Sequence, residues 1–292
     1  MNKIWIILLG LFVGFSCEEN PFFGKNKISE RTITGIVKLD KVDQYPDGHH
    51  DGVYVWSEGL NLITTTGIDG SFELVLPMAS NVSTGGIPDG DYTIHFFLGN
   101  YQISTVSIKF LAGQVVENVQ VIDIDGELER IVYLDRYLGV KTTVSPMTIT
   151  NSFDNFDTNS HPININVSID LEPDKNDLFI NLKKIDSRDL IIYTGLLIQN
   201  FDTKELAHSI DMEAASVKKE LIKQPSKRLV VEFNYLDVNL SKGTYEVIPY
   251  ITIDRVDIPK NLLKSIGVGY NDFNENYFKF PFKRIGGKLV VE

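Results

Sequence analysis

Gly67-Ile68-Asp69-Gly70-Ser71-Phe72-Glu73-Leu74-Val75-Leu76-Pro77 reads as a turn that feeds a strand. An Asp side chain hydrogen-bonds the backbone of its own turn, and glycine accepts positive φ at no steric cost. After the turn Phe72, Leu74 and Leu76 alternate with Ser71, Glu73 and Val75, the period of a strand with one face in a core, and Pro77 ends the ladder. The same pattern extends in both directions. Upstream, Ile33, Val37 and Leu39 share one face, and 53–56 and 62–66 are short strands. Downstream, Tyr92, Ile94 and Phe96 form an inward set after the Asp89-Gly90 turn, and 101–110, 115–122 and 131–134 bring the set to about seven strands. Asp-Gly pairs at 47–48, 51–52, 69–70, 89–90 and 125–126 punctuate this half, and none occurs later. Short strands so divided predict an antiparallel β-sandwich over 31–135.

Beyond Val140 asparagine becomes frequent. Ile163, Ile165, Val167 and Ile169 alternate with Asn164, Asn166 and Ser168, again a half-buried strand. Further strand candidates are 178–182, 191–199, 229–233, 245–253 and 277–282, with Pro249 marking an edge or a bulge. Over 204–223, Leu206, Ile210, Ala214, Val217 and Leu221 carry helical spacing, and a hairpin insertion fits the same residues. Leu240-Ser241-Lys242-Gly243-Thr244-Tyr245 resembles the tyrosine corner of immunoglobulin-like sandwiches, in which the hydroxyl reaches back to the upstream backbone. Ile87-Pro88-Asp89-Gly90-Asp91-Tyr92 repeats that spacing in the first half. The fold expected is therefore all-β, two β-sandwich domains, with 136–292 immunoglobulin-like or related. Cys17 is the only cysteine, so no disulfide joins these sheets.

Four pieces of the first half follow one another in a recognisable order: Ile33-Thr34-Gly35-Ile36-Val37, Asp51-Gly52-Val53-Tyr54-Val55, Thr66-Gly67-Ile68-Asp69-Gly70-Ser71-Phe72-Glu73-Leu74 and Gly90-Asp91-Tyr92-Thr93-Ile94. The succession resembles the carboxypeptidase regulatory-like domain, a seven-stranded sandwich of the transthyretin kind, over about a third of the chain. The resemblance implies a non-catalytic module of secreted or outer-membrane proteins. Asp51 stands where that family usually has proline, and 45–51 is a lengthened loop. No peptidase activity comes with the name: the histidines at 49, 50, 95, 161 and 208 include neither His-x-x-Glu nor His-Glu-x-x-His, which hold a catalytic zinc.

The N-terminus points outside the cytoplasm. Met1-Asn2-Lys3 gives a positive start, Ile4 to Phe15 is apolar throughout, and Ser16 precedes Cys17. The run is shorter than the ~20 residues of a spanning helix and fits the ~7–15 of a signal-peptide core; an uncleaved anchor helix is the alternative. A lone thiol is a liability in an oxidising compartment unless it is consumed. Ser16-Cys17 resembles a bacterial lipoprotein signal, with Gly14 in place of the usual leucine and a bulky Phe15 between. The expectation is a signal peptide over 1–16, lipid attachment at Cys17 and a tether over 17–30. The site is a bacterial envelope, most simply the outer membrane. Glu18-Glu19 resembles outer-leaflet export tags, and inward-facing placement fits too.

Composition narrows function. Apolar residues make up 43% and charged residues 23%, the mix of a folded protein, and a net charge of −11 repels nucleic acid and anionic lipid. His49-His50-Asp51 has metal-ligand character, but neighbouring side chains on an extended loop point apart. His95, between Ile94 and Phe96, is expected to face away from the core into solvent. Asp154, Asp157 and Asn159, the stretch Asn271 to Asn276, and Asp123 to Glu127 offer calcium-type oxygens without the EF-hand order. Nothing resembles a nucleophile elbow or a phosphate loop. Tyr54 and Trp56 suggest a sugar-stacking platform, or aromatics that cap the core. No catalytic, metal or cofactor residue is assigned. The function expected is a structural or interaction module on a lipid anchor. The alternatives are a carbohydrate- or peptide-binding accessory of an outer-membrane uptake system, or an uncharacterised hydrolase.

Overall fold

The computed structural model describes residues 31–77, 86–150, 163–267 and 273–292. Their architecture is all-β. In the first half, β1 (Thr32–Leu39), β4 (Ser71–Val75) and β8 (Val132–Leu134) make one sheet in the order β4-β1-β8. The other sheet contains β2 (Tyr54–Ser57), β3 (Leu62–Thr65), β5 (Gly90–Phe97), β6 (Ser104–Leu111) and the short β7 (Gln114–Val115), ordered β3-β2-β5-β6-β7. Phe72, Leu74 and Leu76 are buried and Ser71, Glu73 and Val75 exposed, as their alternation requires. With Ile33, Val37, Val55, Ile94, Phe96 and Ile108 they build the first core. Two Asp-Gly glycines show why no other residue serves. A Cβ on Gly70 would lie 2.0 Å from the Val37 carbonyl oxygen, and one on Gly126 would lie 2.2 Å from that of Thr32, at φ of +87° and +90°.

The second half begins with β9 (Leu138–Ser145) and the short β10 (Thr148–Ile149). β11 (Asn164–Pro173) lies between β9 and β17 (Lys227–Asn234) in a three-stranded sheet. The opposing layer contains β12 (Leu178–Asp186), β13 (Ile191–Thr194), β14 (Leu196–Asn200), β15 (Leu206–Ile210), β16 (Ser216–Ile222), β18 (Gly243–Pro249), β19 (Ile251–Ile253) and β20 (Gly287–Val291). These pair as β10-β20-β18-β14-β15 and as β13-β12-β16, with β19 also on β12. Two strands change sheet at a kink, one at Gly195 (φ +92°) and one just after Pro249, where Tyr250 donates its amide to the Gly195 carbonyl. The proline thus marks a strand switch. Ile165, Val167, Ile169 and Leu171 all point into a second core, separate in membership from the first.

Both expected tyrosine corners are present. The Tyr245 hydroxyl donates to the Ser241 carbonyl at 2.8 Å, and that of Tyr92 to the Pro88 carbonyl at 2.9 Å.

Three strand-or-helix readings are corrected. The 204–223 segment is neither helix nor hairpin: β15 joins β14 while β16 joins β12, in different sheets. The 277–282 stretch is not a strand; Glu275–Lys279 is a 3₁₀ turn whose N-cap Asn274 accepts the Asn276 amide. The expected strand 115–122 stops almost at once. β7 pairs only with Phe110 and Leu111, and Asn118 and Ile122 then exchange backbone hydrogen bonds in a tight turn that leads the chain away.

Between β19 and β20 the chain makes an excursion that packs against the first half. Its helix (Lys260–Ile266), here α2 after the single-turn α1 (Tyr235–Val238), follows Pro259 and ends at Gly267 in the left-handed conformation. Leu262 and Phe280 from this excursion bury Tyr54, Trp56 and Phe97 on the outer face of β2 and β5. Residues 31–292 accordingly form one compact unit.

Candidate functional site

The largest concentration of buried charge lies where the two cores meet. Arg136 follows β8, and Asp174 follows β11; each side chain is only 2% exposed. The guanidinium grips Asp174 with two bonds, Nε at 2.5 Å and an NH2 group at 3.0 Å, and reaches Glu172 at 3.2 Å. Lys41, from the end of β1, also pairs with Asp174. Burial alone would raise the Asp174 pKa, yet hydrogen bonds from Arg136 and Lys41 outweigh it and hold the carboxyl below its ordinary value. Asn100, fully buried, donates to the carbonyls of Leu138 and Lys283 and accepts the Lys283 amide. Arg255 donates to the Gly99 and Tyr101 carbonyls and lies over the rings of Phe97 and Tyr137. The bonds from Lys41 to Asp174, from Asn100 to Leu138 and Lys283, and from Arg255 to Gly99 and Tyr101 fasten the halves together.

A second buried set closes one end of the second core. Glu220 accepts from Lys184 at 2.7 Å and from the Tyr193 hydroxyl at 3.0 Å, and it pairs with Lys227. Burial opposes the Glu220 charge, but the two ammonium groups and the phenol keep its pKa lowered. This too is a satisfied network.

His49 and His50 do point apart. The His50 Nδ1 accepts the Leu39 amide at 3.0 Å, and burial together with Lys38 and Lys283 lowers its pKa, so the ring stays neutral. His49 instead joins Asp47 and Asp51, their ligand atoms within 4.8 Å of one another. Sequence reasoning missed Asp47 because it looked for further Cys or His. The cluster already has a cation: Lys283 Nζ is 2.9 Å from Asp51 and 3.7 Å from Asp47.

One other reading changes, and one choice between two readings is decided. His95 is not solvated. It faces away from the first core, yet it is 6% exposed, stacked on Trp56 with ring centroids 5.2 Å apart and 3.2 Å from Glu58. Trp56 itself is 3% exposed beneath the excursion, so of the two readings Tyr54 and Trp56 are aromatics packed into a core, not a sugar platform. Pro259 and Gly267, which frame the covering helix, were the available signal. Asp123 to Glu127 is a turn held by its own bonds, with the Asp123 carboxylate accepting the Glu127 amide at 2.7 Å. Cys17, the tether, and Asp154, Asp157 and Asn159 lie outside the described residues, as do 271 and 272 of the other asparagine-rich stretch.

A groove of about 970 Å³ runs along the side of β6 that faces away from β5. Ser104 to Lys109 form one wall, and 116–122 with 130–133 form the other. Ile108, Ile122, Leu128 and Val132 are its buried floor, while Val119, Ile131 and Tyr133 are exposed along the rim. Its charged members, Asp91, Lys109, Glu117 and Arg130, balance. Among the described residues no helix is long and apolar enough to cross a membrane. No protein-family model matches the chain, and no curated protein matches it.

Proposed function

We propose that the chain is a non-catalytic, lipid-anchored protein of the bacterial cell envelope, probed by its partners through an interaction surface rather than by turnover of a substrate. The observation that carries the reading is the division of polar groups just described. The buried charges are engaged with one another in Arg136–Asp174–Lys41 and Lys184–Glu220–Lys227. The groove along β6, by contrast, offers backbone, hydroxyls and aliphatic surface, with four charged side chains of balanced sign. Such walls suit recognition of another chain better than acid–base chemistry. The anchor in this reading is Cys17 and the site is the outer membrane, supported by the apolar run ending at Ser16-Cys17. The first sandwich is read as carboxypeptidase regulatory-like, because β1, β2, β4 and β5 carry the four ordered sequence pieces. The second is read as immunoglobulin-like, supported by its tyrosine corner.

Of the two binding roles weighed, peptide recognition is favoured over carbohydrate, since the aromatic pair that suggested sugar stacking is covered. Metabolic labelling with radioactive palmitate tests the anchor. The wild-type chain is expected to take up label and Cys17→Ala to lose it. Equal labelling of the two would remove the basis for placing the protein on a membrane.

A further inference from the structure

The groove is the place where the sequence pattern calls for a strand and the chain does not supply one. Opposite β6 on its other side lies β5, paired from Gly90↔Phe110 to Phe96↔Ser104. The direction of each β6 backbone group follows from two bonds. Thr93 accepts from the Glu58 amide, so its polar groups face β2 and not its β6 neighbour Ser107. The Lys109 carbonyl, two residues along, accepts the Val116 amide from the opposite side. Because backbone direction alternates along an antiparallel ladder, Thr105 and Ser107 turn their N–H and C=O groups away from β5, toward the groove. β7 covers only Phe110 and Leu111, and among the described residues no strand pairs with Ser104 to Lys109 on the side of β6 away from β5. That stretch is about 17 Å long, at ~3.4 Å per residue.

We propose that this edge binds an extended peptide segment of a partner protein, added as a strand antiparallel to β6 in continuation of β7. The inference rests on the reading of the chain as an interaction module and names the partner's chemistry. The first argument is continuity. The bond from Val116 to Lys109 is the last rung of a ladder whose next positions, Ser107 and Thr105, offer the same groups in the same plane. The second argument is shape. The groove has a wall on each side, 104–109 and 116–133, which admits one extended chain. The edge of a second copy would bring its own neighbouring strands and would meet the 116–122 wall. The third is polarity. Side chains of the added strand alternate between the apolar floor of Ile108, Ile122, Leu128 and Val132 and the exposed side shared by Thr105 and Ser107. With balanced charge on the walls, the segment that fits is uncharged, aliphatic at every second position and hydroxylated between, bound by main-chain bonds with side-chain pockets setting preference.

The probe is a fluorescein-labelled mixture of hexapeptides, Thr-X-Thr-X-Thr-X with X drawn from Val, Ile, Leu, Phe and Tyr, read by polarisation against the full chain in detergent. Saturable binding is expected. Ser107→Pro removes one outward donor at an edge position that tolerates proline, and about a tenfold loss of affinity is expected with the melting temperature kept. Should that variant unfold, N-methylated peptides on the wild-type chain decide the matter. Methylation at alternate residues in one register is expected to abolish binding, and in the other register to leave it. The proposal is overturned if the mixture fails to bind up to about 1 mM, or if both methylation registers bind alike. It is also overturned if sedimentation shows a dimer that Ser107→Pro dissolves, since the edge then holds a second copy. None of these readouts depends on Cys17, so failure here and failure of palmitate labelling are separate results.

Discussion

Replacing Asp174 by alanine is expected to be among the most costly single changes in residues 31–292. The reason is the state in which it leaves Arg136. The guanidinium is 2% exposed and its bidentate partner disappears, leaving Glu172, at 3.2 Å and half exposed, as its remaining acidic contact. Breaking a buried pair from one side costs about 3–5 kcal/mol, because the surviving charge stays out of water without compensation. Arg136→Met should cost less, since Asp174 keeps Lys41, whose side chain is 36% exposed and can follow it. The pair of substitutions Arg136→Met and Asp174→Leu together should lie closer to wild type than either single change, because no buried charge is left and Lys41 and Glu172 are exposed enough to turn to solvent. The assay is urea unfolding of wild type, Asp174→Ala, Asp174→Leu, Arg136→Met and the double variant, followed by circular dichroism. The reasoning predicts the order of cost Asp174→Ala, then Arg136→Met, then the double. It is refuted if Asp174→Ala lies within about 0.5 kcal/mol of wild type, or if the costs of Asp174→Leu and Arg136→Met simply add in the double variant, since contacting partners must couple.

Other outcomes follow from the same contacts. Asp174 and Glu220 both have lowered pKa values in the folded chain, so their stabilisation is present above the unfolded carboxyl range and is lost as pH falls through the folded values. Acid titration of stability should therefore steepen below roughly pH 4, and Asp174→Asn should flatten that limb. Leu262→Ala, at a fully buried position over Trp56, should destabilise by about 2–5 kcal/mol and shift the Trp56 emission to the red, measured by fluorescence during urea unfolding. Gly126→Ala should cost more than about 1–2 kcal/mol, since it adds a Cβ 2.2 Å from the Thr32 carbonyl to a left-handed backbone; thermal melting reads the loss. Tyr245→Phe, which deletes only the bond to Ser241, should lower stability by about 0.5–1.5 kcal/mol in the same assay.

What the sequence made legible was whatever depends on neighbours in the chain. Alternation placed Phe72, Leu74 and Leu76, and Ile165, Val167 and Ile169, on their buried faces, because a strand's period is a local property. The Asp-Gly turns and the tyrosine corners are local too, spanning a few residues each. The 204–223 segment misled for a definable reason. Leu206 and Ile210 are four apart, which is one face of a helix but also one face of a strand. The turn closed by the Ala215 amide on the Met212 carbonyl then resets the parity before Val217.

Contacts between distant segments were not legible. Nothing around His95 announces that it stacks on a Trp56 covered by a helix more than 150 residues later, so its apparently outward face was assigned to solvent. Asp174 gave no sign that Arg136 and Lys41 converge on it, because three unrelated strand ends meet there. The empty place beside β6 was hidden behind a plausible strand, 115–122, whose hydrophobic pattern is real but whose Asn118 turn takes it elsewhere.

Amide hydrogen exchange along β6 tests most directly whether this molecule keeps a sheet edge open for a partner. Val106 and Ile108, bonded to β5, should be strongly protected, while Thr105 and Ser107, which alternate with them, should exchange at nearly unprotected rates. Equal protection at all four positions in the isolated chain would mean the edge is already paired, and would contradict the account.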